Sequence, residues 1–173
     1  MDASKLIFID ETSINTGMTR LYGRAFGSDR VVEYVPDVRF YRTSVVSSVR
    51  LDGTITPLAF EGSLNGDIFL CYIEQFLAPT LQEGDIVIMD NLSSHKVKGI
   101  EDAIEAKGAH VIFLPAYSPD LNPIEQMWAK VKAYLRKAKA RTLDALYDAL
   151  KHALDNISIP DILGWFRETG YFV

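Results

Sequence analysis

Two short apolar runs, each closing on an aspartate, constrain this chain more than any other feature. One is Leu6-Ile7-Phe8-Ile9 ending at Asp10; the other is Ile86-Val87-Ile88-Met89 ending at Asp90. Runs without polar alternation bury both faces, as central strands do in a sheet covered on both sides. They predict strands over 6–10 and 85–90. A helix over 97–107, with Gly108 as its stop, leads to a further buried strand over 110–114. Strand, helix, strand in that order closes as a right-handed parallel crossover. Between the two aspartates, β-rich runs over 43–51 and 54–61 flank Asp52-Gly53, a hairpin signal. Ile68, Phe69, Tyr72, Ile73 and Phe76 then recur at helical spacing within 65–81. Helices are expected over 123–139, 143–156 and 160–169, the second facing the core through Leu143, Leu146, Leu150, Ala153 and Leu154. The expected fold class is α/β, a mixed five-stranded sheet flanked by helices. With no repeat or linker-like tract, residues 1–173 read as a single domain.

Composition narrows the setting. The single cysteine, Cys71, excludes a disulfide framework, and no apolar stretch approaches the ~20 residues of a membrane span, so a cytoplasmic protein is expected. The net charge of −5 argues against gripping nucleic acid by bulk electrostatics alone. One basic block stands out. Between Gln126 and Arg141 there are six basic residues and no acid: Lys130, Lys132, Arg136, Lys137, Lys139 and Arg141.

If the strands ending in Asp10 and Asp90 are parallel neighbours, their carboxylates emerge at one rim, roughly 5 Å apart. Like charges that close are costly to ionise together, and a divalent cation removes the cost. Mg²⁺ suits such a site, because it takes one or two carboxylates and completes its shell with substrate phosphates. Aspartate also simply opens loops, so neither residue alone decides the matter. The third acid, Glu125, sits three residues after Asn122, a good helix cap, with Pro123 at the first helical position. Asn-x-x-Glu is also close to a capping box, in which the glutamate bonds the cap's own backbone N–H. The spacing leaves both readings open.

The combination carries more than its parts. Phe8-Ile9-Asp10-Glu11-Thr12, Tyr22-Gly23-Arg24, Met89 through Lys96 (Met-Asp-Asn-Leu-Ser-Ser-His-Lys), and Leu114 through Glu125 followed by Trp128 resemble the DDE transposases of the mariner superfamily, specifically the bacterial insertion-sequence branch. The 34 residues between Asp90 and Glu125 match that branch, and Tyr-Ser-Pro-Asp-Leu-Asn-Pro-Ile-Glu is its most specific stretch. The resemblance spans essentially the whole chain. It implies a ribonuclease-H-like fold with Asp10, Asp90 and Glu125 as metal-binding catalytic triad. It implies Mg²⁺ or Mn²⁺, two ions, in-line displacement at phosphorus, and cleavage then strand transfer at a TA dinucleotide. The implied partners are DNA, as transposon ends and target, and further copies of the chain; the active enzyme would associate with the nucleoid. Relatives carry helix-turn-helix domains ahead of the first aspartate. Asp10 stands almost at the N-terminus here, so an upstream helix-turn-helix polypeptide is an expected partner.

Secondary assignments follow. Asn91 orients a ligand or forms an Asx-turn, and His95 is a proton or phosphate partner or a capping histidine. Alternation turns Glu11 away from Asp10. Lys130, Lys132, Arg136 and Lys137 contact a DNA backbone or form a solvated face. Tyr117 and Trp128 stack on a base or pack the core. Two other functions compete: a non-catalytic oligomerisation module or inhibitor of a full-length transposase, and another ribonuclease-H-like nuclease. An aspartyl-phosphate enzyme fits less well, since Asp10-Glu11-Thr12 lacks a second aspartate two residues on.

Overall fold

A computed structural model describes residues 2–37, 40–116 and 118–171. Its centre is one five-stranded sheet in the order β3-β2-β1-β4-β5. The strands are β1 (Leu6–Asn15), β2 (Arg42–Arg50), β3 (Leu58–Glu61), β4 (Ile86–Met89) and β5 (His110–Phe113). β1 pairs antiparallel with β2 and parallel with β4, while β5 runs parallel to β4. The mixed sheet expected from the sequence is thus present.

Each departure from expectation has a local cause. β1 continues past Asp10 to Asn15 because β2 pairs with it from Ile7↔Arg50 to Asn15↔Arg42. The hairpin turns at Gly53, whose φ of +95° suits glycine. Its return strand is shorter than 54–61: Ile55 makes only a bridge to Val49 before the ladder resumes at Leu58. Pro57, which has no N–H to give a ladder, lies in the gap. The helix expected over 65–81 is split into α1 (Gly66–Tyr72), a π-helical turn (Ile73–Leu77) and a 3₁₀ turn (Ala78–Thr80) holding Pro79. The segment over 97–107 yields only α2 (Ile100–Glu105), preceded by Gly99 at φ +103°. The strand at 110–114 was expected to be buried. It is an edge strand with Ile112 38% exposed, because no element pairs beyond β5.

Helices cover both faces. α3 (Ile124–Ala138), α4 (Leu143–Asp155) and α5 (Ile159–Glu168) pack Trp128, Val131, Leu146, Leu150, Ile162 and Phe166 over Leu6, Phe8, Val45 and Ile88. On the opposite face Phe69, Tyr72, Ile73, Ile100 and Ile104 cover Ile7, Ile9, Val87 and Met89. Period-2 alternation therefore assigns β1 side chains to faces: Leu6 and Phe8 to the α3 side, Ile7 and Ile9 to the α1 side. Of the expected α4 core residues, Leu146, Leu150 and Ala153 are buried, whereas Leu143 and Leu154 are half-buried. Among the described residues no helix is long and apolar enough to cross a membrane.

At the start of β4, Asp85 is fully buried and accepts two hydrogen bonds from the Arg50 guanidinium, at 2.8 and 3.0 Å, plus one from Gln82 N. This pair ties the end of β2 to the start of β4 across β1. Breaking a buried pair strands the remaining charge at a cost of about 3–5 kcal/mol. Asp85→Ala is expected to lose that much stability in urea unfolding, with native-like circular dichroism retained. A second test concerns α5. Hydrogen bonds from Lys130 and Ser158 hold the Asp161 carboxyl down at about 2. Its stabilising effect is thus present above the ordinary aspartate pKa of about 4 and lost as pH falls towards 2. The urea midpoints of wild type and Asp161→Asn should differ at pH 6 and converge near pH 2.

Candidate active site

The register of the parallel pair positions the first two acids. Leu6 lies beside Ile86, Ile7 beside Val87 and Phe8 beside Ile88. The same offset, carried to the strand ends, sets Asp10 beside Asp90. Asp10 continues the Leu6–Phe8 face, the side over which α3 runs. Asp90 sits one residue beyond the last ladder position of β4.

Glu125 arrives from the first turn of α3. The capping box does not form around it. Asn122 N donates instead to Pro119 O at 3.0 Å, closing a 3₁₀ turn over Pro119–Leu121. Asn122 is buried, and its Oδ1 accepts from Ile124 N at 3.4 Å. The Glu125 side chain is left free of the cap and reaches a cavity of about 360 Å³. Asp10, Asp90 and Glu125 all line this cavity, with Asn91 and Leu92 following Asp90, and Leu114, Pro115, Ser118, Pro119 and Asn122 adding to the lining. A larger groove of about 570 Å³ lies between the β2–β3 hairpin and α4; its charged lining is one Lys151 and one Asp155, with no gathering of acids.

The electrostatics of the cavity follow from its lining, which among the described residues includes no lysine or arginine. Burial and the nearby Glu125 carboxylate push the Asp10 carboxyl up to about 8, with Glu11 and Asp90 adding to the rise. Hard oxygen donors gathered where their ionisation is costly without a counter-charge fit Mg²⁺ or Mn²⁺. Among the described residues, no three His, Cys, Asp or Glu side chains form a ready cation cage. A Mg²⁺ site of this kind needs only one or two protein carboxylates, with substrate phosphate and water completing the shell. The donor set fits that requirement.

His95 is fully buried behind Asp90, its ring stacked on Phe69 at 4.2 Å. Its Nδ1 lies 2.6 Å from Asp90 Oδ1 and its Nε2 lies 3.2 Å from Glu11 Oε2. Burial opposes charging this ring, but the hydrogen bonds to Asp90 and Glu11 outweigh it and raise the pKa to about 10. Glu11 is turned from the Asp10 side, as alternation predicts. Its contact with His95, 84 residues away in the chain, was not legible from the sequence, because nothing local encodes it.

The basic block divides. Lys130 is committed to Asp161 and to Asn156 O, Lys139 pairs with Glu33, and Arg141 donates to Thr16 O and Met18 O. Lys132, Arg136 and Lys137 make no ion pair with the described residues. Trp128 is a core residue, 2% exposed. Tyr117 lies outside the described residues.

A mixed five-stranded sheet with helices on both faces and carboxylates at its parallel rim has the ribonuclease-H-like architecture. Solved structures share it. The Mos1 transposase paired-end complex with left transposon end superposes with a TM-score of 0.76 at 18% identity, covering 99% of this chain and 57% of that one. The catalytic domain of Mos1 mariner transposase gives 0.67 at 14% identity, covering 98% and 85%. The chain belongs to the DDE superfamily endonuclease family, which matches residues 5–147. It is also 26% identical over 112 residues to the Tcb2 transposase of Caenorhabditis briggsae, a match covering 65% of this chain and 39% of that protein.

The raised Asp10 pKa has a consequence for the metal-free protein. An acid that holds its proton more tightly when folded makes stability fall as pH rises from about 4 to about 8. Asp10→Asn should therefore melt higher than wild type at pH 8 without metal, with the gap closing at pH 4. Differential scanning calorimetry at the two pH values measures this.

Proposed function

We propose that this chain is the catalytic domain of a transposase that cleaves and joins DNA strands at the ends of a mobile element, with Asp10, Asp90 and Glu125 as its metal-binding triad. The observation that carries the reading is the convergence of the three acids on one cavity, with Glu125 released from its capping alternative. Family membership supports the nuclease class, and related structures include Mos1 complexes with Mn and with Mg. Two divalent ions, when bound, would supply activation of the attacking oxygen and stabilisation of the leaving oxygen in an in-line displacement.

The chain's own residues do the positioning. Asp10 and Asp90 present oxygens from adjoining strand ends, so their spacing is held by the sheet ladder rather than by a loop. Glu125 approaches from a helix whose buried face (Ile124, Met127, Trp128, Val131) locks its rotation. Among the described residues the cavity lining offers no lysine or arginine to the DNA phosphate, so charge neutralisation falls to the metal ions and to groups outside the cavity. Lys132, Arg136 and Lys137 are the α3 cations placed to take the backbone of bound DNA. Lys130 is assigned a structural role through Asp161.

The match to the Tcb2 transposase spans well under half of that protein. We assign the chain to the bacterial insertion-sequence branch on the motifs of its sequence. Recognition of the element ends is assigned to a helix-turn-helix polypeptide acting with this domain, and synapsis of two ends to further copies of the chain. Activity is assigned to the cytoplasm, at the nucleoid.

Asp10→Asn, Asp90→Asn and Glu125→Gln should each lower Mn²⁺-dependent strand cleavage of terminal-repeat DNA by about 10³-fold or more, because each removes several kcal/mol of transition-state stabilisation. The assay joins the chain to its end-recognition partner. Full activity in any one of the three variants removes that residue from the triad.

A further inference from the structure

Asp90 has a weakness that Asp10 lacks. Asp10 lies inside β1 and is held by a ladder partner, Ser47. Asp90 lies beyond the end of β4. Within its own loop the Asp90 carboxylate receives only a long 3.4 Å hydrogen bond from Leu92 N. Its aim depends on the buried ring behind it. That ring is held at four points: its face stacks on Phe69, Nδ1 meets Asp90 Oδ1 at 2.6 Å and Asp90 O at 3.2 Å, and Nε2 meets Glu11 Oε2 at 3.2 Å.

We propose that Glu11 is a positioning residue of the acidic site, which anchors the His95 ring so that the ring in turn fixes the Asp90 carboxylate toward the cavity. The assignment rests on the reading of Asp90 as a metal ligand. Glu11 does not line that cavity, and its alternation from Asp10 places it on the α1 face. Its side-chain contact with the site runs through the ring, beside the like-charge repulsion it exerts on Asp10. Two adjacent residues of one strand thus serve the site from opposite faces of the sheet: Asp10 directly, Glu11 through His95. Outer groups that orient a ligand in this way typically govern metal affinity by about 10–100-fold.

The test is a Mn²⁺ titration of the 173-residue chain without DNA, following free Mn²⁺ by electron paramagnetic resonance. Glu11→Ala should weaken binding about tenfold or more, with its melting temperature close to wild type. Glu11→Gln keeps an acceptor at the same reach and should recover most of the loss. In a His95→Phe background, which retains the stack on Phe69 but removes both nitrogen contacts, Glu11→Ala should have no further effect. Wild-type affinity in Glu11→Ala, alongside lost affinity in Asp90→Asn, overturns the positioning role and leaves the triad standing. An undiminished Glu11→Ala effect in the His95→Phe background means that Glu11 acts on the site without the ring, by its charge or by direct metal contact, and also overturns it. Unchanged Mn²⁺ affinity in Asp90→Asn removes the metal-ligand reading itself, and the positioning role with it.

Discussion

The parallel pairing of β1 with β4 is the constraint on which the rest of this molecule depends. Three ladder positions, Leu6 through Phe8 against Ile86 through Ile88, set the offset that brings Asp10 and Asp90 side by side. Sliding β4 by one residue would turn Val87 and Met89 out of the α1-side core and move the Asp90 carboxylate to the other face. The apolar burial that sets this register therefore also sets the acid spacing. Arg50 and Asp85 reinforce it from the opposite end of the sheet, where a fully buried carboxylate marks the start of β4.

The site works against folding stability. Burial and a neighbouring carboxylate make Asp10 reluctant to ionise, and among the described residues the cavity lining offers no lysine or arginine in relief. A protein shaped only for stability would not keep this arrangement; one shaped to receive a divalent cation and a phosphate would. The second layer follows the same logic in reverse. Asp90 has little to hold it locally, and a buried imidazole with a carboxylate at each nitrogen supplies the missing order. On the cavity side Asp10 has no ion-pair partner among the described residues, whereas Asp90 and Glu11 share the buried ring.

Much of this was legible in the chain itself. Unbroken apolar runs ending in aspartate marked β1 and β4 as central, the intervening helix marked β4 and β5 as parallel, and Asp52-Gly53 marked the hairpin. Boundaries were less legible where partners decided them. β1 is twice the length of the strand expected over 6–10 because β2 supplies a ladder for residues whose own pattern is mostly polar. The expected helix over 65–81 breaks into three because π and 3₁₀ turns are small shifts in hydrogen bonding that hydrophobic spacing does not register. Buried and edge strands also look alike in sequence, which is why β5 read as interior.

The local sequence determined which residues were candidates: two aspartates at strand ends, and a glutamate in the first turn of a helix. It could not separate a capping glutamate from a cavity-facing one, because both occupy the same helical position. The folded chain decided that point: a local 3₁₀ turn takes the Asn122 N–H to Pro119 O, and the packing of α3 carries Glu125 to the cavity of Asp10 and Asp90. It also decided that Lys130 belongs to Asp161 and that Glu11 belongs to His95. These contacts join residues 31 and 84 positions apart. Spacing rules reach only about a turn of helix or a pleat of strand, so pairings at that range are set by how the layers pack.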